Sequence, residues 1–171
     1  MYDGINLQSI LYIISILIFL LTKGVLIKFA IIMLLPSFVF LFYNIKNKCF
    51  LGNSGAYFIS YLLSIVLIKT YNFKDSIFFE EILIIGTFPI LDFVRVFIVR
   101  LINKKNPLIA DNNHIHHLLI KRFSHVKSSI ILTFFNFSPL FIINLFSEKS
   151  LAVLIGIFFY FILFYSLKKK F

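Results

Sequence analysis

Six apolar runs divide this chain, and they leave room for little besides a helical membrane protein. They extend over Leu7–Thr22, Val25–Tyr43, Ser54–Thr70, Ile82–Val99, Ile130–Phe146 and Leu151–Leu167, 16 to 19 residues apiece. Helices of that length lie near the short end of what crosses a hydrocarbon core of about 30 Å. A mean hydropathy of +0.98 over 171 residues, 60% of them hydrophobic and 24 of them Phe, excludes a soluble domain of this size. A second apolar run follows the first too closely for a cleaved signal peptide, and no small-residue cleavage site accompanies it. Cys49 is the one cysteine, which rules out an internal disulfide and supplies no metal framework. The expected fold is all-α: a polytopic bundle of about six transmembrane helices, forming a single membrane domain over residues 1–171.

The net charge of +10 raises nucleic acid as a partner, and the distribution of that charge answers the question. With the N-terminus inside and six spans threaded, the inner segments hold Lys46, Lys48, Arg95, Arg100, Lys104, Lys105, Lys121, Arg122, Lys127, Lys168, Lys169 and Lys170. The outer segments hold Lys23, Lys28, Lys69, Lys74 and Lys149, beside the acids Asp75, Glu80, Glu81 and Glu148. Twelve cations against five is the positive-inside pattern. The basicity is therefore topological, no nucleic-acid reading module accompanies it, and no nucleic-acid partner is expected. Both termini are then cytoplasmic, as are the two long connections, about 44–53 and 100–127. The far-side connections are short, and no internal repeat is present. Any chemistry faces the cytoplasm.

Three motifs line that face. The first is Tyr2-Asp3-Gly4-Ile5-Asn6-Leu7, just ahead of the first run. The second is Phe50-Leu51-Gly52-Asn53-Ser54-Gly55, a turn feeding the third run. There Asn53 or Ser54 suits an N-cap, and free amides at a helix start favour an anion. The third is Asp111-Asn112-Asn113-His114-Ile115-His116-His117, which gathers three of the four histidines within four positions. Imidazoles titrate near neutrality and can bond phosphate oxygens or shuttle protons. A surface loop is the bland alternative, and a zinc site the third, with neither cysteine nor acidic partner at zinc spacing. His125, a little downstream, reads as an interfacial residue. Between the second and third motifs, Asp92 and Arg95 share a helix face inside a span. An ion pair is their structural reading, and a direct substrate role for Arg95 is the functional one.

Taken together, Pro89-Ile-Leu-Asp92-Phe-Val-Arg95, Pro107 and the Asp111–Leu119 string resemble the ending of the polyprenyl-phosphate N-acetylhexosamine-1-phosphate transferases. That family includes the enzymes that begin O-antigen and enterobacterial common antigen lipids in lipopolysaccharide-bearing envelopes, and more distantly the muramoyl-pentapeptide translocase. Phe50 to Gly55 resembles the family's F-x-G-D-x-G-S loop, and Asp3-Gly4-Ile5-Asn6 its D-G-x-[DN]-G-L element. Order and spacing agree across essentially the whole chain. The resemblance implies an enzyme of the bacterial inner membrane that uses Mg²⁺ (or Mn²⁺). It would transfer N-acetylhexosamine 1-phosphate from a UDP-N-acetylhexosamine to undecaprenyl phosphate and release UMP. Phosphoryl transfer needs positioning and charge neutralisation above all, and a lipid acceptor explains why it would open onto the membrane.

Carried over residue by residue, the resemblance gives Asp3, His114, His116 and His117 catalytic roles. It gives substrate-binding roles to Asn6, Ser54, Arg95, Asp111 and Asn113, and puts Asn53 at the family's magnesium-binding aspartate. Two departures stand out. Family members are about twice as long, so the chain matches their carboxyl-terminal half, and an amino-terminal half becomes an expected partner. Asn53 also offers a neutral amide where a hard cation favours a carboxylate. The alternative function is an inactive membrane remnant that binds lipid phosphate or a partner protein.

Overall fold

In the computed structural model, residues 7–74, 77–104, 106, 113–143 and 149–168 are described. Among them the chain is helical throughout: α1 (Gln8–Thr22), α2 (Ile27–Ile45), α3 (Gly52–Lys74), α4 (Phe79–Ile102), α5 (Ile115–Ile120), α6 (His125–Ile142) and α7 (Ser150–Lys168). Each apolar run becomes one long helix, and the histidine segment adds the short α5. Among the described residues four helices, α2, α3, α4 and α7, are long and apolar enough to cross a membrane. The six-span expectation thus meets a difference at α1 and α6. With 15 residues, α1 is about 22 Å long at 1.5 Å per residue, short of the hydrocarbon thickness. In α6, the expected run Ile130–Phe146 is displaced to His125–Ile142 because Ser124 starts the helix early, its hydroxyl accepting the Lys127 N–H at 3.4 Å. The polar residues so included, Ser128, Ser129 and Asn136, are buried.

The chain is arranged inside out relative to a water-soluble fold. No more than a third of each candidate span is buried inside the protein. Ile32, Leu35, Tyr57, Tyr61, Phe134, Phe141, Phe158 and Tyr165 lie exposed, an apolar surface far larger than a soluble monomer presents to water. The interior has two clusters. One surrounds α1, where Leu17 and Leu20 are fully buried against Ala30, Ile84, Phe137 and Ile143. The other joins Phe88 of α4, Ile115 and Leu119 of α5, Leu132 of α6, and Tyr160 and Leu163 of α7. That second cluster fixes the histidine segment.

Prolines explain several cross-links. Pro89 lies inside α4 and has no N–H, so the carbonyl of Ile85 one turn earlier loses its helical partner. Tyr12 of α1 supplies its hydroxyl to that carbonyl, and Asn136 of α6 donates its Nδ2–H at 3.2 Å. The same amide accepts the Phe88 N–H at 3.3 Å. Pro139 in α6 leaves Phe135 O in the same position, and Ser138 Oγ donates to it at 3.2 Å. Neighbouring side chains thus satisfy what proline frees, as membrane helices require. Replacing Asn136 by Leu should destabilise the bundle by roughly 1–3 kcal/mol, the usual cost of stranding a buried polar group. Reversible unfolding in mixed micelles would show it as a lowered midpoint, with Ser138→Ala a milder comparison.

The helix ends are tied in pairs. Lys23, which caps α1, forms an ion pair with Glu81 in the first turn of α4. The Glu81 carboxylate also takes the Phe78 N–H at 2.9 Å. At the opposite end, Arg122 follows α5 and donates to Ser166 O and Leu167 O at 3.1 and 3.0 Å. These are terminal carbonyls of α7, where a cation is favoured. The C-terminal end of α7 is thereby tied to the turn that follows α5.

Candidate active site

One carboxylate organises the histidine segment. Asp92 and Arg95, three residues apart on α4, form the expected ion pair, with Nη2 to Oδ1 at 2.7 Å. The carboxylate does more than pair with Arg95. Its Oδ2 lies 2.8 Å from His114 Nδ1, and its Oδ1 accepts the Ile115 N–H at 3.1 Å and the Tyr160 hydroxyl at 3.2 Å. Asp92 therefore holds a ring and a backbone amide at the start of α5, from a helix 22 residues upstream. Acidic groups are favoured at such a start, where backbone N–H groups lack helical partners.

Arg95 completes the clamp. Its Nη2 donates to Asn113 O at 2.6 Å, its Nε donates to the Tyr160 hydroxyl at 2.9 Å, and its guanidinium lies over the Phe164 ring at 4.4 Å. Tyr160 is itself fully buried and packs edge-on against Phe88, centroids 5.4 Å apart. Three helices thus converge on a two-residue junction, Asn113–His114.

The histidines form an array. The His114 and His116 rings are stacked, with centroids 5.5 Å apart and planes 6° from parallel. His117 follows at 4.2 Å from His116, tilted by 47°. His116 is 9% exposed. Its burial first, and then the neighbouring His117 and His114, push its pKa down to about 4. It is thus a neutral imidazole near pH 7, a hydrogen-bonding group and not a cation.

That depression sets a pH dependence for the docking of α5. Above about pH 6.5 the His116 ring is neutral whether α5 is docked or detached. As pH falls toward about 4, the detached ring takes a proton that the docked ring refuses, and docking weakens. The loss is about 1.4 kcal/mol per pH unit, on the order of 3 kcal/mol in total. Amide exchange of α5, corrected for its intrinsic pH dependence, should accelerate accordingly between pH 7 and 4.5. His116→Gln should flatten the trend.

Asn53 and Ser54 lie elsewhere. Because α3 begins at Gly52, both fall inside its first turn and neither is the N-cap the sequence suggested. Both are exposed. Asn53 lines a groove of about 480 Å³ with Ser9 and Tyr12 of α1, Tyr57 and Ser60 of α3, and Pro89 of α4. No histidine lines it. The two faces of α4 therefore serve different places: Pro89 and Ile90 border the groove, Asp92 and Arg95 the histidine array. Asp3, Asn6 and Asp111 lie outside the described residues.

Among the described residues no three His, Cys, Asp or Glu side chains gather where they could hold a metal ion. Asp92 spends its oxygens on four donors, and Asn53 offers one amide. These residues do not fit a complete site for Mg²⁺ or Mn²⁺. Two organising residues carried no role at the histidine site in the sequence reading. Asp92 read only as the partner of Arg95, although an intramembrane carboxylate is itself a functional signal. Tyr160 has no local signal, being one aromatic among many in an apolar run.

No protein-family model matches the chain, and no solved structure matches it. Two curated relatives do. A probable undecaprenyl-phosphate N-acetylglucosaminyl 1-phosphate transferase of Bacillus subtilis is 31% identical over 147 residues, covering 82% of this chain and 40% of that protein. An undecaprenyl-phosphate alpha-N-acetylglucosaminyl 1-phosphate transferase of Thermotoga maritima is 34% identical over 102 residues, covering 57% of this chain and 32% of the relative. The chain thus spans well under half the length of either. Over the part it spans, it belongs to the polyprenyl-phosphate N-acetylhexosamine-1-phosphate transferase family.

Proposed function

We propose that this chain supplies the histidine-bearing part of a glycosyl-1-phosphate transferase of the bacterial inner membrane. The reaction would move N-acetylhexosamine 1-phosphate from its UDP ester to undecaprenyl phosphate and release UMP, beginning a lipid-linked envelope glycan. The observation that carries this reading is the array His114–His116–His117, docked onto membrane helices by Asp92 and Arg95. A phosphate brought to such an array meets imidazoles held at fixed separations, and preorganised hydrogen-bonding groups of that kind stabilise charge that develops in a transition state. The array's place at helix ends suits a substrate whose tail stays in lipid. The catalytic histidines, the anion contacts of Arg95, Asn113 and Ser54, and the roles of Asp3, Asn6 and Asp111 belong to this proposal.

A second reading rests on Asn53, whose neutral amide stands at the position matched to a metal-binding aspartate. In that reading the chain binds undecaprenyl phosphate without turning it over. One experiment separates the two. The chain is reconstituted in phospholipid vesicles with undecaprenyl phosphate, UDP-N-acetylglucosamine and Mg²⁺, alone and together with the amino-terminal half of the Bacillus relative. UMP release in either mixture supports transfer, and retention of undecaprenyl phosphate without UMP supports the remnant. Neither result would set aside both readings. The cytoplasmic placement has its own check: cysteine at Asn113 or Asn47 should react with impermeant reagents only after the inner membrane is opened.

A further inference from the structure

The four donors around Asp92 do not play equal parts. Three of them, Arg95 Nη2, the Ile115 N–H and the Tyr160 hydroxyl, converge on Oδ1 at 2.7, 3.1 and 3.2 Å. Oδ2 is left to the imidazole of His114, at 2.8 Å from Nδ1. A carboxylate facing donors can only accept, so the ring nitrogen against Oδ2 must carry the hydrogen. The other nitrogen of a neutral ring then has a lone pair and no hydrogen. His114 also cannot turn freely, because its own backbone is held through Ile115 N and Asn113 O, and its ring is stacked on His116.

We propose that Asp92 is a positioning residue that locks His114 in the Nδ1–H tautomer, so that His114 offers an acceptor at Nε2 to its ligand. This deepens the transferase reading and rests on it for the identity of the ligand. The group complementary to such a nitrogen is an O–H, either a protonated phosphate oxygen or a sugar hydroxyl. A bare phosphate oxyanion would instead need an N–H there. The histidines of the array are then not interchangeable: His114 is set by a carboxylate, and His116 is set by burial.

The substitution Asp92→Asn tests this without dismantling the dock. The amide oxygen can still accept from Arg95, Ile115 and Tyr160, whereas the amide nitrogen replaces Oδ2 and donates to Nδ1. A purely structural dock would not distinguish carboxylate from amide. The tautomer would: it should invert to Nε2–H. The measurement is ¹⁵N NMR of the full chain with labelled histidine in lipid nanodiscs at pH 8, with the His114 signals assigned by their loss in His114→Gln. We expect a protonated Nδ1 and a bare Nε2 in the native chain, and the reverse in D92N. Asp92→Glu, which restores a carboxylate on a longer arm, should return the native pattern. An Nε2–H tautomer in the native chain overturns the proposal, as does an unchanged tautomer in D92N. Should D92N fail to insert, the native chain and Asp92→Glu still decide. None of these spectra requires turnover. A chain that releases no UMP but shows the expected tautomers therefore counts against the transferase reading and leaves this inference standing.

Discussion

Asp92→Ala is expected to detach the histidine segment from the membrane helices. The substitution removes the acceptor of the His114 ring, the Ile115 N–H, the Arg95 guanidinium and the Tyr160 hydroxyl together. Arg95 would remain largely buried, its side chain 16% exposed, without the carboxylate that balances it. Breaking one side of a buried ion pair typically costs 3–5 kcal/mol, because the surviving charge is left uncompensated. Here the loss falls first on the junction at Asn113–His114, which the pair ties to α4. Amide exchange over Ile115–Ile120 should therefore accelerate by at least roughly 100-fold, the equivalent of about 3 kcal/mol. Helices α1 and α2, which pack in the other cluster, should change little. Native protection of α5 in Asp92→Ala would show that apolar packing of Ile115 and Leu119 suffices, and that the polar clamp is incidental.

The helices were legible because apolar length is a property of each segment by itself. All six runs fold as helices, with ends displaced by a few residues where a cap such as Ser124 intervenes. The number of spans was less legible, since α1 is short and α6 carries the buried polar residues Ser128, Ser129 and Asn136. Asn136 is the clearest case. In sequence it is a polar interruption, and in the fold it answers the carbonyl that Pro89 strands 51 residues away. The histidine segment announced itself by composition, and its docking did not. Asp92 and Tyr160 stand 22 and 46 positions from His114 in the chain, and only the packing of α4 against α7 brings them together. Asn53 shows the converse. Its motif matched a family pattern well, yet the described structure places it beside an apolar groove that no histidine lines.

His116→Ala and His117→Ala are the substitutions expected to affect the proposed reaction most. A preorganised hydrogen-bonding group aimed at developing charge is worth on the order of 100-fold in rate when removed. The cost to folding should be smaller for His117, which is only partly buried, than for His116. His125 is the control. It sits exposed in the first turn of α6, outside the array, and surface substitutions of that kind usually fall within about 0.5 kcal/mol. The deciding measurement is UMP release from UDP-N-acetylglucosamine with undecaprenyl phosphate, in vesicles that hold this chain with the amino-terminal half of a relative, normalised to inserted protein. Losses of about 100-fold are expected for His116→Ala and His117→Ala if the array takes part in the reaction, against a nearly native rate for His125→Ala. Equal rates in all three variants would contradict that role, leaving the histidine array as a solvated turn with no part in the chemistry.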